Sequence, residues 1–379
     1  MNRATVLVLV GGLGLTTALI LLPGAAPTGP YVPKNEAEVL EVVPKSTPRP
    51  SGPLSVDEAA ARAWALINEA RRTGGDPRLL GRAQATLGPW WNEASPPPAI
   101  RILRATLKQS FHDFEGSLID LDAQLAADPS DVQAWLTRAT VLSVLARYPE
   151  AMDSCARLDR AVVPQAVCRA QVMGVTGQAK EAVAMLMTLR PSADEAGWVA
   201  SVRGEIERWA GDDSRSQQSL EQALALDPSD TYSRLLLAQL FLDSKQPARA
   251  ALLFEGRAVN DGELLMWVLA LQAANAKGFE ARRAELDERV AANRQRGETL
   301  HQREESRYAL ALEGDAAKAL TLAVKNWAVQ KEPADARVFL EAAVATKNAA
   351  AAAPALEWLE QTKFTDPTLR ALAAQLRSP

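Results

Sequence analysis

Histidine is almost missing from this chain of 379 residues, which has two, His112 and His301. Neither has a partner at H-E-x-x-H or similar spacing, so the sequence offers no set of metal ligands. His112 falls in a turn just before Phe114 and His301 at the start of a charged helix, positions that suit solvated or capping side chains. There is no G-x-S-x-G elbow and no phosphate loop. The one glycine-rich run, Gly11-Gly12-Leu13-Gly14, sits inside an apolar leader where no nucleotide fingerprint belongs. The sequence therefore predicts no enzyme, with no catalytic residue, metal or cofactor.

Aromatic residues are scarce as well, at 5%, although 47% of the chain is hydrophobic. Neither sign of charge forms a long run: 42 basic residues face 46 acidic ones, the net charge is −4, and the pI is near 5.5. A nucleic-acid groove needs a basic stripe, so no nucleic-acid partner is expected. Cysteine occurs only as Cys155 and Cys168. Their spacing is not the C-x-x-C of a redox centre, and no cysteine stands near the leader to carry a lipid.

What is present begins with that leader. Residues 4–22 carry no charge and are about as long as the ~20 residues a helix needs to cross a bilayer. This predicts an apolar N-terminal helix. Gly24, Ala25 and Ala26 resemble a signal-peptidase site, but Pro27 would follow the cut and hinder it, which favours an uncleaved anchor over a signal peptide. Either reading puts the body of a bacterial protein in the cell envelope. It is then anchored to the inner membrane with a periplasmic body, or soluble and periplasmic if the leader is cut. Pro27, Pro30, Pro33, Pro44, Pro48 and Pro50 make the next stretch an extended tether. Inside it, residues 35–43 (NEAEVLEVV) have the pattern of a short amphipathic helix. The expected organisation is residues 1–23 as signal peptide or anchor, 24–54 as tether, and 55–379 as the folded body.

At this length one compact core is outgrown, beyond roughly 250 to 300 residues, so several domains or a solenoid are required. An internal repeat selects the solenoid. Ala182 and Ser216 are 34 positions apart, as are Ser216 and Ala250, while Ala151 leads Ala182 by 31. Residues 128–158 (DPSDVQAWLTRATVLSVLARYPEAMDSCARL) resemble one unit of the tetratricopeptide family. Asp128-Pro129 stand at the family's closing D-P, Trp135 at the first-helix tryptophan, Tyr148 at the aromatic near the turn, and Ala151 at the small residue of the second helix. Ala146 replaces the turn glycine, which Gly177 and Gly211 restore in the next two units. The family's period is about 34. The resemblance implies an all-α solenoid of helical hairpins wound as a right-handed superhelix. It is closest over 98–257, where Phe114, Ser117, Leu121, Phe241 and Phe254 keep the frame. It loosens over 258–366, where Ala353 is placed 34 after Ala319, and residues 367–377 read as a terminal capping helix. From Glu263 to Arg296 the second helix is too long and too charged for the standard unit.

In that family the first helices line a concave groove that holds a peptide or helix of a partner protein. Carried onto this sequence, the groove positions are Thr106, Gln109, Gln133, Leu136, Thr140, Gln171, Glu205, Arg208, Trp209, Tyr232, Leu235 and Gln239. A mixed, mildly polar surface of this kind suits apolar anchors with a few amide hydrogen bonds. Leu136 and Leu235 stand where chaperone-binding members carry lysine, and Thr140 and Gln239 where they carry asparagine. That departure argues against a carboxylate clamp. The resemblance thus implies a non-catalytic scaffold or adaptor for a membrane or exported protein. The alternative is an assembly or maturation factor for an exported redox or metal protein. Cys155 and Cys168 lie symmetrically about a turn near Ala161, on neighbouring helices. Two readings stay open for them: a disulfide stapling adjacent repeats, worth about 2–3 kcal/mol, or two ordinary buried thiols.

Overall fold

The computed structural model describes residues 54–72, 77–295 and 301–377. The apolar leader and the tether lie outside the described residues. Among the described residues there is no strand, and no helix is long and apolar enough to cross a membrane.

The body is a run of helical hairpins, each a first helix, a tight turn and an antiparallel second helix. In chain order they are α1 (Val56–Arg72) with α2 (Pro77–Thr86), α3 (Pro98–Ser110) with α4 (Phe114–Ala127), and α5 (Val132–Val144) with α6 (Tyr148–Ala156). Next come α7 (Val162–Val175) with α8 (Ala179–Met187), α9 (Ala193–Trp209) with α10 (Asp213–Leu226), and α11 (Thr231–Asp243) with α12 (Pro247–Leu252). The series continues with α13 (Asp261–Ala273) and α14 (Phe279–Gln295), then α15 (Gln302–Tyr308) and α16 (Ala316–Val329), then α17 (Pro333–Thr346) and α18 (Ala353–Thr362), and closes on the single helix α19 (Pro367–Arg377).

The repeat has a plain physical basis. In six hairpins the fourth residue of the second helix is the small one, namely Ser117, Ala151, Ala182, Ser216, Ala250 and Ala319, and each is 0% exposed. A larger side chain there would push the two helices apart. Two residues before each of these second helices the backbone turns left-handed, at His112, Ala146, Gly177, Gly211, Lys245 and Gly314. Ala146 adopts this turn at φ 59° like its glycine counterparts, so the missing glycine strains the turn without reshaping it. The two D-P-S-D loops then repeat one hydrogen-bonding scheme. Asp128 and Asp227 each accept from the serine two residues on, while Asp131 and Asp230 cap α5 and α11 by accepting from Ala134 N and Ser233 N.

One sequence expectation changes. Ala353 is exposed at the start of α18, and the buried small residues beside it are Ala352 and Ala355. In the loose stretch around 263–296 the second helix, α14, is long and charged as expected, with 17 residues of which Leu286 is the buried one. Beyond α15 the helix widens into a π-helical turn, Ala309–Glu313, which ends at Gly314 with φ 71°.

An open solenoid keeps contacts between neighbouring repeats only. This one also closes on itself. Lys331 N donates to Val144 O at 2.8 Å, and Trp358 Nε1 donates to Tyr148 Oη at 2.8 Å across 210 residues. Thr365 Oγ1 donates to Trp209 O at 2.8 Å, and the Trp209 and Phe364 rings meet edge to face at 5.4 Å. The later helices therefore run along the edge that the turns of α5–α6, α7–α8 and α9–α10 present. A Cβ on Gly177 would stand 2.9 Å from Lys363 O, and one on Gly211 would be 3.3 Å from Pro367 Cγ, so these two turns must be bare for the seam to close. One apolar core joins both sides of the seam, residues 105–209 and 309–373, while a second core spans residues 220–308 in the arm between them. A third core lies under α1, α2 and α3, where Arg104 donates to the carbonyls of Trp90, Trp91 and Glu93 and pairs with Asp120.

Candidate functional site

The predicted groove residues divide by exposure. Gln133, Thr140 and Tyr232 are exposed, and Leu136, Gln171, Leu235 and Gln239 are half-buried, as is Gln109. Thr106 is buried. Deeper in the array, Glu205, Arg208 and Trp209 are all buried.

Trp209 requires a correction. Its ring is sealed by Phe364 and its carbonyl is taken by Thr365, so it serves the closure of the array and offers no surface to a partner. Arg208 is likewise engaged within the chain. It and Arg337 both pair with Asp243, with Arg337 at 2.7 Å, and Gln239 Nε2 donates to the same carboxylate. Burial alone would raise the Asp243 carboxyl, but the two guanidiniums outweigh it and hold it down at about 2. Arg337 also pairs with Glu341, and Arg307 donates to Gln239 Oε1. This network joins α9, α11, α15 and α17 at the inner end of the groove. No sequence spacing signals it, because Asp243 and Arg337 are 94 residues apart.

One hydrogen bond links an exposed and a buried groove residue: Tyr232 Oη donates to Glu205. Burial pushes the Glu205 carboxyl up to about 7, and the nearby Glu332 adds to the rise against the opposing hydrogen bond from Tyr232. His112 stacks on Phe114 with ring centroids 5.4 Å apart, and burial lowers its imidazole, helped by the positive charges of His301 and Arg303. Among the described residues no group of three or more His, Cys, Asp or Glu side chains is placed to hold a metal ion.

Cys155 and Cys168 are joined by a disulfide, with Cα atoms 5.5 Å apart. The bridge ties the last turn of α6 to the middle of α7, and both cysteines are buried. Of the two readings that the sequence left open, the structure takes the staple.

No protein-family model matches this chain, and no curated protein matches it. Among solved structures it is similar to the Cut9–Hcn1 hetero-tetramer of the APC/C, at 12% identity over 86% of this chain, with a TM-score of 0.43; it spans 56% of that chain. It is similar to the human IFIT1 dimer with PPP-AAAA, at 12% identity over 84% of this chain and 82% of that chain, with a TM-score of 0.45. It also resembles the tetratricopeptide domain of P58(IPK), at 13% identity over 84% of this chain and 99% of that chain, with a TM-score of 0.23. The repeating hairpin, with its buried small residue and left-handed turn, defines the class: an all-α array of helical hairpins.

Proposed function

We propose that this protein is a non-catalytic scaffold that holds a peptide or helix of a protein partner against the first helices of its array, at the open positions Gln133, Leu136, Thr140, Gln171, Tyr232 and Leu235. One observation carries this reading. Along its turn edge the array already holds a segment of its own chain, Trp358 of α18 with Phe364 and Thr365 of the following link, by aromatic contacts and side-chain hydrogen bonds, which is the chemistry a partner segment would offer. The open positions add apolar side chains at Leu136 and Leu235 flanked by amides and a half-exposed tyrosine. Such a surface suits an amphipathic helix with a polar margin. The apolar leader and the proline tether support a place in the bacterial cell envelope, tethered at the inner membrane, with membrane or exported proteins as partners.

Expression of the full chain in a Gram-negative host, crosslinking in the envelope, and mass spectrometry of its N-terminus and of what comes with it provide the test. A retained Met1 and a co-purified envelope protein, lost when Tyr232 and Leu235 are both changed to alanine, is the expected result. Loss of one buried anchor should weaken capture by at least about 30-fold. Unchanged capture by the double variant would move the binding surface elsewhere. A new N-terminus near Pro27 would replace the anchor by a cut leader.

A further inference from the structure

Acids that leave water are ordinarily matched to a cation, because an unpaired buried charge is costly. Asp335 and Asp243 follow this rule, pairing with Arg303 and Arg337. Glu205 does not. It is 8% exposed, accepts a hydrogen bond from Tyr232 Oη, and among the described residues has no ion pair and no second hydrogen bond. The basic groups around it are committed elsewhere. Arg208, one turn further along α9, pairs with Asp243, and Arg307 donates to Gln239. Arg303 serves Glu304, Glu332 and Asp335 at 3.1, 3.2 and 3.4 Å. Burial raises both the Glu205 carboxyl and the Tyr232 hydroxyl, and nearby negative charge, that of Glu332 included, adds to each. Glu332 is itself raised by burial and by Asp335, against the pull of Arg303. The approach to this group is open, since Tyr232 is 51% exposed and the Glu332 side chain 43%. An aromatic ring beside a carboxylate is a combination that binds organic cations, through the negative face of the ring and a charge-assisted hydrogen bond. Among the described residues these carboxylates do not converge into a set of metal ligands.

We propose that Glu205, Tyr232 and Glu332 form a cation site in the groove, which takes the lysine ammonium or arginine guanidinium of a partner segment. This rests on the reading of the first helices as a holder of partner proteins and adds the side chain that the partner must present. The cation supplies the charge that Glu205 lacks, the Tyr232 ring covers its apolar stem, and Glu332 adds a second negative charge. Leu235, three residues after Tyr232 on the same helix face, takes neighbouring apolar atoms of the segment. In the empty protein a proton does the work of the cation, so removal of the Glu205 charge steadies the chain and abolishes the site.

Fluorescence anisotropy of the full chain with labelled pentapeptides tests the site. The peptides differ only at the central residue, which is lysine, arginine, N-acetyl-lysine or glutamate between flanks of alanine and leucine. At pH 8 the lysine and arginine peptides should bind at least ~10-fold tighter than the other two, the size of effect expected for a hydrogen bond to a charged group. Glu205→Gln, which keeps an acceptor for Tyr232, should abolish that preference. Below about pH 7 the preference should fall by about tenfold per pH unit, because the cation must then displace a proton from Glu205. Putrescine, tested as a free source of the same chemistry, should bind more weakly than the lysine peptide. Equal binding of the lysine and acetyl-lysine peptides, a preference that survives Glu205→Gln, or no binding of any peptide would overturn the proposal. Tighter binding of putrescine would overturn the assignment to a partner side chain. Equal peptide binding with Tyr232- and Leu235-dependent capture intact would remove the cation site alone; a Glu205-dependent lysine preference with capture unchanged in the double variant would move the holding surface elsewhere and leave the cation site standing.

Discussion

Breaking the Cys155–Cys168 bridge has a calculable cost. The cysteines are 13 residues apart, and loop closure for a ring of that size removes about 3 kcal/mol of unfolded-chain entropy at room temperature. Both side chains are buried, so the folded protein should resist reductant and the bond should open only after local unfolding. A solenoid does not have to unfold all-or-none, so a global midpoint would dilute the effect. The sharper assay is hydrogen exchange of α6 and α7 in the oxidised chain and in a chain refolded with excess reductant. A difference of about 3 kcal/mol is roughly a 150-fold change in exchange through local opening, centred on these two helices and absent from α13 and α14. Two reactive thiols in the urea-unfolded, unreduced protein made in an oxidising compartment would refute the bridge. Equal exchange with and without reductant would refute the reasoning from loop entropy.

Glu205→Gln should remove a pH dependence. Its folded pKa of about 7 lies above the ordinary 4.5, so the native state holds a proton that the unfolded chain gives up, and stability is lost as pH rises from about 4.5 through 7. The variant should be the more stable above pH 7, by up to about 3 kcal/mol, and no better below pH 4.5, as read from urea unfolding across pH. Ser216→Ala should stabilise by about 1 kcal/mol, because the buried Ser216 hydroxyl has no hydrogen-bond partner; a lower midpoint would show that its Oγ is satisfied. Gly177→Ala should cost about 1–3 kcal/mol more than Gly314→Ala. Both positions have positive φ, but only at Gly177 does the added Cβ meet another element, Lys363, so equal thermal shifts would contradict the close approach.

The hairpins were legible because their signal is local and repeats. The small residues Ala151, Ala182, Ser216 and Ala250 and the turn glycines Gly177, Gly211 and Gly314 recur at the hairpin spacing, since each repeat solves the same contact between two helices. The disulfide was half legible. Symmetry about Ala161 brought the sulfurs to one height, but spacing alone could not distinguish a bond from two thiols. Trp209 misled because its place in the first helix is a groove position in an open solenoid, whereas here the array curls until Phe364 covers it. The seam itself, Tyr148 with Trp358 and Asp243 with Arg337, pairs residues 94 to 210 positions apart and leaves no periodic trace. Ala353 was misplaced by the same reasoning that placed Ala319, because at the start of α18 the buried small residues are Ala352 and Ala355, a departure from the 34-residue step.

The central claim, that partners are held on the open face of the first helices, is tested most directly by a photo-crosslinking amino acid placed at two positions of the full chain expressed in a Gram-negative host. One replaces Tyr232, which is 51% exposed on a first helix, and the other replaces Val324, which is 43% exposed on the second helix α16. The account predicts a discrete crosslinked protein from position 232 and none from position 324. The same adduct at both positions, or an adduct at 324 alone, would contradict it.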